Sequence, residues 1–342
     1  METSPLEKLV GHLADELRSL VPLIRNGDDD GVVAGSGTLL RVGGDPFLVT
    51  ASHVAKDCDA GGGLRIPSVL ENRHIPIGAD GIVGVDDDKH DVAVLRITDA
   101  VAARLGADNR YFLSTAHIET VPPPNLSLGR CLVLGFPSAR TKREGRRVEY
   151  GPQAFVCEPA GPESGEDLSS TYDPRYHFLL HLRPLATDLH SGAKEPTVDP
   201  RGMSGGSLWW LGAEDDIGTV EQRAQAVRWI GVQSAAFAAR GPRSGFLKAV
   251  TLQSAARLMC RQWPDLGGPN NPDFAGVGSA GAMRFDITTN NLRTIDAHMR
   301  RSYGTGMWIV TYSRPASFRT FPKIGVGSGG MGVGSGGGSI AR

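Results

Sequence analysis

Three short segments of the chain carry side chains that together can build a nucleophilic system. In Gly202-Met203-Ser204-Gly205-Gly206 a serine stands in a glycine-rich turn that exits into Ser207-Leu208-Trp209-Trp210. A reactive hydroxyl needs a tight, exposed turn, and nearby backbone amides must point at the oxyanion that forms. Glycine presents those amides without a side chain in the way. In Phe47-Leu48-Val49-Thr50-Ala51-Ser52-His53 a histidine follows an apolar strand, and in Lys89-His90-Asp91-Val92-Ala93-Val94-Leu95 an acid opens another. A carboxylate beside an imidazole fixes its tautomer and stabilises the imidazolium that forms when it takes the serine proton. The chain order His, Asp, Ser differs from the Ser-acid-His and Asp-His-Ser orders found on two other architectures. Alternation along a strand turns His90 to the side opposite Asp91, as an exposed neighbour.

These side chains need rigid carriers, and the texture of the chain supplies strands. Short apolar runs at Ser19–Ile24, Gly37–Val42, Pro46–Thr50, Gly81–Val85, Val92–Ile97 and Cys131–Phe136 are separated by Gly, Pro and Asp. Val148–Cys157, His177–Leu182, Ser207–Leu211 and Val227–Gln233 continue the pattern. Many short strands between turn residues predict an all-β protein. A long βαβ alternation is missing. Before the strands, Ser4, Pro5 and Glu7 have capping-box spacing, and Leu6, Leu9, Val10, Leu13 and Leu17 form one stripe, so residues 1–18 read as a helix. Arg243–Trp263 reads as a closing helix with Phe246, Val250, Leu252, Ala256 and Leu258 inward. Glu158–Tyr172 and Ala186–Arg201 read as mobile loops.

The three motifs resemble those of the chymotrypsin/trypsin-like serine peptidases, closest in flavour to the bacterial Deg/HtrA-type and intracellular domains. Thr50-Ala51-Ser52-His53, Asp91-Val92-Ala93-Val94-Leu95 and Gly202–Gly206 carry the similarity, with Gly35–Leu40 and Leu134-Gly135-Phe136-Pro137 as lesser matches. It covers about residues 19–260. The resemblance implies two six-stranded antiparallel β-barrels, the first over about 19–125 and the second over about 126–241, with a closing helix at 243–263. It implies His53, Asp91 and Ser204 as the triad of an endopeptidase, and the amides of Gly202 and Ser204 as its oxyanion hole. The pocket for the substrate side chain would have Val198 at its base and Gln233, Ser234 and Ala235 in its wall. No acid stands in those positions, which favours a small or medium apolar side chain, with Asp199 adjacent. Met203 replaces the Asp or Asn usual before the serine. An activating ion pair at that position is thereby excluded, and packing or loop contacts must hold the amides instead. Two other readings use the same residues: a peptide-binding module that has lost turnover, and a peptidase gated by a regulatory partner protein.

Composition bounds the rest. The chain has 342 residues, 40% of them hydrophobic, with 36 Lys+Arg against 37 Asp+Glu and a net charge of -1. That supports a full core and argues against a general nucleic-acid binder. No run is long enough to span a bilayer, and the acidic start lacks a secretory pattern, so a cytoplasmic protein away from membranes is expected. Four cysteines do not make a disulfide scaffold. Cys58 has no partner upstream of His53, and Cys131, Cys157 and Cys260 are scattered, so free thiols are expected. His177, His181 and His190 lack a matching ligand set, and neither a metal nor another cofactor is expected. Asp86-Asp87-Asp88 reads as a solvated turn. Residues 264–282 read as a linker, 283–319 as a small segment adding a strand or two, and 320–342 as a flexible tail, with nine glycines between Gly325 and Gly338. Oligomeric state leaves no mark in these patterns.

Overall fold

The computed structural model describes residues 13–25, 32–60, 63–68, 74–77, 82–85, 90–120, 129–144, 147–161, 172–188, 194–213, 224–237, 245–267 and 307–311. All of them lie in one compact unit, Met1–Tyr312. The fold is mostly β, in two antiparallel sheets. The first is built from β1 (Leu20–Arg25), β2 (Val33–Val42), β3 (Asp45–Thr50), β4 (Leu64–Pro67), β5 (His74–Ile77), β6 (Ile82–Val85) and β7 (Ala93–Arg96). Its hydrogen-bonded order is β5-β4-β1-β2-β3-β7-β6. The strands that matter for the site sit side by side: β2 pairs Thr38 with Val49 of β3, and β3 pairs Val49 with Val94 of β7.

The second half contributes β8 (Gly129–Gly135), β9 (Thr141–Glu144), β10 (Arg147–Tyr150), β11 (Gln153–Cys157), β12 (His177–Leu182), β13 (Leu185–Asp188) and β14 (Lys194–Pro196). It continues with β15 (Ser207–Ala213), β16 (Arg228–Phe237), β17 (Gly245–Thr251) and β18 (Met307–Thr311). The sheet order is β12-β17-β16-β15-β8-β11-β18-β13-β14, and β9 and β10 form a separate hairpin. All seven strands of the first sheet run antiparallel to their neighbours, as do the first seven of the nine in the second, after which β18 and β13 run parallel. Among the described residues the ladder of each sheet ends at two edge strands.

Among the described residues four α-helices accompany the sheets: α1 (Ala14–Leu17), α2 (Ser52–Ala60), α3 (Asp99–Ala107) and α4 (Leu252–Gln262). Of the helix expected over residues 1–18 only α1 falls within the described residues. No described helix is long and apolar enough to cross a membrane. The closing helix needs correction. Its first half, Gly245–Thr251, is β17, paired with β12 on one side and β16 on the other, and the helix begins at Leu252. The second sheet therefore runs past residue 241. Six of the seven β17 positions are buried, so both of its faces are covered and its apolar run has no period of two and imitates a helix. Part of Ala186–Arg201 is also corrected, because β13 and β14 pair there as a hairpin. Val148–Cys157 divides at Gly151-Pro152 into β10 and β11. Of the expected linker 264–282 only Pro264–Gly267, a 3-10 turn, is described, and of the segment 283–319 only the strand β18; the tail 320–342 and Asp86–Asp88 lie outside the described residues.

Three apolar clusters make the core. One fills the first sheet around Leu23, Leu48 and Leu95. Another fills the second sheet around Phe155, Leu208 and Leu247. The largest lies between them, where Phe47, Val49 and Val94 meet Leu132, Trp209 and Trp229, with Leu252, Ala256 and Met259 of α4 closing the joint. The Phe47 ring meets Trp263 edge-on at 5.0 Å. Burial at this joint holds the two halves in one orientation, and the site is built across it.

Candidate active site

His53 lies in the first turn of α2, three residues beyond the end of β3. Its Nδ1 is 3.0 Å from each carboxylate oxygen of Asp91, and its backbone N–H donates to Oδ1 at 3.1 Å. A carboxylate only accepts, so Nδ1 carries a hydrogen and donates it to Asp91. Asp91 precedes β7 with φ 35°, in the left-handed region. Such a backbone costs of order 1–3 kcal/mol and persists where the surroundings impose it. Here it aims the carboxylate at His53. The same geometry corrects the reading of His90. Regular strand structure begins only at Ala93, so alternation does not govern residues 90 and 91. His90 is half-buried, and its ring packs edge-on against Tyr176 at 4.2 Å.

Ser204 arrives from the other sheet, on the turn that leads into β15. Gly202 and Gly205 hold φ of 88° and 87°, which an L side chain rarely adopts. The turn's amides divide in two. Met203 N donates to Pro200 O at 2.9 Å, Gly205 N to Gln233 O at 2.7 Å and Gly206 N to Met203 O at 2.8 Å. The amides of Gly202 and Ser204 donate to no backbone acceptor among the described residues. These are the two donors assigned to the oxyanion. The Ser204 hydroxyl donates to Ser234 O at 3.4 Å, and no hydrogen bond joins it to His53. Catalytic hydrogen bonds are often loose before substrate binds.

Met203 is fully buried, in the core of the second sheet beside Cys131, Phe155 and Leu208. Packing therefore holds the turn from one side. From the other side it is held by Ser36 of β2, a residue whose role the sequence did not disclose. Ser36 N donates to Ser204 O at 2.7 Å, and its hydroxyl donates to Gly202 O at 2.9 Å and accepts from Phe136 N at 2.8 Å. Thr50 Oγ1 in turn donates to Ser36 O at 2.7 Å.

Of the expected pocket residues, Gln233 and Ser234 touch this turn through their backbone carbonyls. Ser234 and Gln233 are buried, Ala235 and Val198 half-buried, and Val198 packs on the core of the second sheet. Asp199 does not turn inward: it accepts from the Arg201 amide at 3.0 Å and pairs with the Arg201 guanidinium at 3.2 Å. Lys248 was missed. It is buried on β17, and its backbone carbonyl accepts from the Ser234 hydroxyl at 3.4 Å. Burial pushes its ammonium down, while the charge of Asp91 pulls it up. Its only signal in the sequence is a lysine inside the apolar run Phe246-Leu247-Lys248-Ala249-Val250.

The remaining candidates lie apart from this chemistry. His177 Nδ1 accepts from the Asp173 amide at 2.8 Å, and the His181 ring lies on Phe246. His190 is outside the described residues. Cys131 and Cys157 face each other across β8 and β11, both buried and free, and Cys260 is half-buried. Burial pushes the Cys131 thiol up to about 12 and Cys157 higher still, with the neighbouring thiol adding to it. The thiolate is the reactive form. Neither should react with a chromogenic disulfide at pH 8 until denaturant is added, and prompt modification of Cys131 or Cys157 in the folded protein would contradict this packing.

Comparison with known proteins found that no family model matches the chain and no curated protein is significantly similar to it.

Proposed function

We propose that the chain is a serine endopeptidase with the double-barrel fold of the chymotrypsin-like enzymes. The observation that carries this reading is the bidentate His53–Asp91 pair at 3.0 Å in the first sheet, set across the joint from a glycine turn that keeps two amides beside Ser204 unspent. In the proposed reaction Ser204 Oγ attacks the scissile carbonyl and its proton passes to His53 Nε2. The tetrahedral oxyanion is held by the Gly202 and Ser204 amides. His53 then gives the proton to the leaving amine, the acyl-enzyme remains, and water repeats the cycle. Asp91 stabilises the imidazolium throughout. The side chain before the cleaved bond would sit against Val198 and the Gln233–Ala235 segment, and the fixed Asp199–Arg201 pair supports a small or medium apolar residue there. The substrate is a protein or peptide.

The contact of Ser204 with Ser234 supports a second reading, in which a partner protein must release the hydroxyl toward His53. Labelling with a fluorophosphonate probe separates the two. The purified chain alone should label, and Ser204→Ala and His53→Ala should not. A folded chain that stays unlabelled until a partner is added favours the gated enzyme. One that never labels sinks the peptidase reading.

A further inference from the structure

We propose that Ser36 is the positioning residue of the oxyanion turn, a neutral clamp from the first sheet that keeps the turn in its reactive form without any charged anchor. The inference rests on the peptidase reading above and adds to it the means by which the site is kept ready.

Three features single Ser36 out. It is fully buried. All of its polar atoms are engaged: its hydroxyl bridges Gly202 O at 2.9 Å and Phe136 N at 2.8 Å, its amide holds Ser204 O at 2.7 Å, and its carbonyl takes the Thr50 hydroxyl at 2.7 Å. And the two carbonyls that it grips, Gly202 O and Ser204 O, bracket the stretch that carries the candidate nucleophile.

The peptide after Gly202 is the weak point of such a turn. Glycine tolerates both signs of φ, so the orientation of that peptide depends on what holds its two ends: Met203 N donates to Pro200 O at 2.9 Å, and Gly202 O accepts from the Ser36 hydroxyl at 2.9 Å. At position 203 the buried methionine side chain supplies packing, where an acidic or amide side chain would supply a polar anchor. The Ser36 hydroxyl supplies the directional contact at the carbonyl end of the peptide, and it takes that direction from β2, whose register is set by β1 and β3. Without the hydroxyl, Gly202 O and Phe136 N lose their shared partner in a buried place, and the peptide is free to turn in search of another. The clamp also spans the joint between the sheets, since Ser36 belongs to the first and Phe136 and Gly202 to the second half of the chain. The half-site that holds His53 and Asp91 thereby sets the geometry of the half-site that holds Ser204.

The test uses the full chain with Ser36→Ala and Ser36→Thr. Two quantities are read: the rate of fluorophosphonate labelling, which needs the oxyanion amides, and the downfield proton resonance of His53 Nδ1–H, which reports the His53–Asp91 pair. Ser36→Ala should label about a hundredfold more slowly, the scale of losing one oxyanion donor, with the His53 resonance unchanged. Ser36→Thr, which keeps the hydroxyl, should recover much of the rate. Should Ser36→Ala not fold, Ser36→Cys fills the same space with a poor donor and carries the same expectation. Wild-type labelling rates in the Ala or Cys variant overturn the clamp while leaving the peptidase reading intact. Loss of the His53 resonance together with labelling also overturns it, because the role would then be general support of the fold. A wild-type chain that never labels overturns the peptidase reading and this inference with it.

Discussion

Asp91→Asn should lower the rate of fluorophosphonate labelling by about 10⁴-fold while leaving the fold intact. The argument starts from the backbone. Asp91 holds φ 35°, a conformation that Asn tolerates as well as Asp does. The side chains are nearly equal in volume, so the replacement leaves no cavity. What changes is the hydrogen bonding. The aspartate only accepts, and both of its oxygens lie 3.0 Å from His53 Nδ1. Asparagine offers one oxygen and one amide group, and the His53 backbone N–H competes for the oxygen at 3.1 Å. With the oxygen so engaged, the amide group faces Nδ1 and donates to it. The ring hydrogen then moves to Nε2, where it blocks proton uptake from Ser204. A loss of this size with an unchanged unfolding transition supports the assigned roles. An unchanged labelling rate means that the His53–Asp91 pair is structural.

Gly205→Ala should cost about 4 kcal/mol or more, in the range reserved for severe core and backbone conflicts, and should abolish labelling. The φ of 87° is unfavourable for any L residue. A Cβ there would collide with Ser36 O and Thr50 Oγ1, and neither the backbone oxygen nor the strand that bears it can give way. Gly44 provides the control. It also has a positive φ, 97°, but a Cβ there meets nothing within 4 Å. Gly44→Ala should cost only about 1–2 kcal/mol and leave labelling intact. Urea unfolding of both variants measures the difference, and equal costs would mean that the contact of the turn with β2 is looser than the distances state.

Much of the candidate site was legible in the sequence because its parts announce themselves locally. His53, Asp91 and Ser204 each stand at the edge of an apolar run, in segments whose residue types make little sense for packing alone. Their chain order carried the rest. Strands were legible where a run is apolar and flanked by turn residues, as at Cys131–Phe136. They were not where a strand is short and stabilised by its partners, as in β4, β5 and β14, or buried on both faces, as in β17. The means of holding the turn was only half legible. Met203 says that no charge does so, but Ser36 is a serine between glycines, and its function lies in residues that are distant in the chain and adjacent only across the joint. His90 was misread because a strand rule was applied just before the strand begins.

The division of the site between two sheets has a consequence for the chain before it is fully folded. Among the described residues every ladder pairing stays within its own sheet or in the β9–β10 hairpin, so neither sheet takes a hydrogen-bonded strand from the other. His53 and Asp91 belong to the half of the chain that builds the first sheet, and Ser204 to the half that builds the second. A chain that has built only one of them, while still on the ribosome or after partial unfolding, holds no complete set of reacting groups. Under the proposed function, such a half-built copy cannot digest its neighbours, and cleaving capacity appears only when the two halves dock.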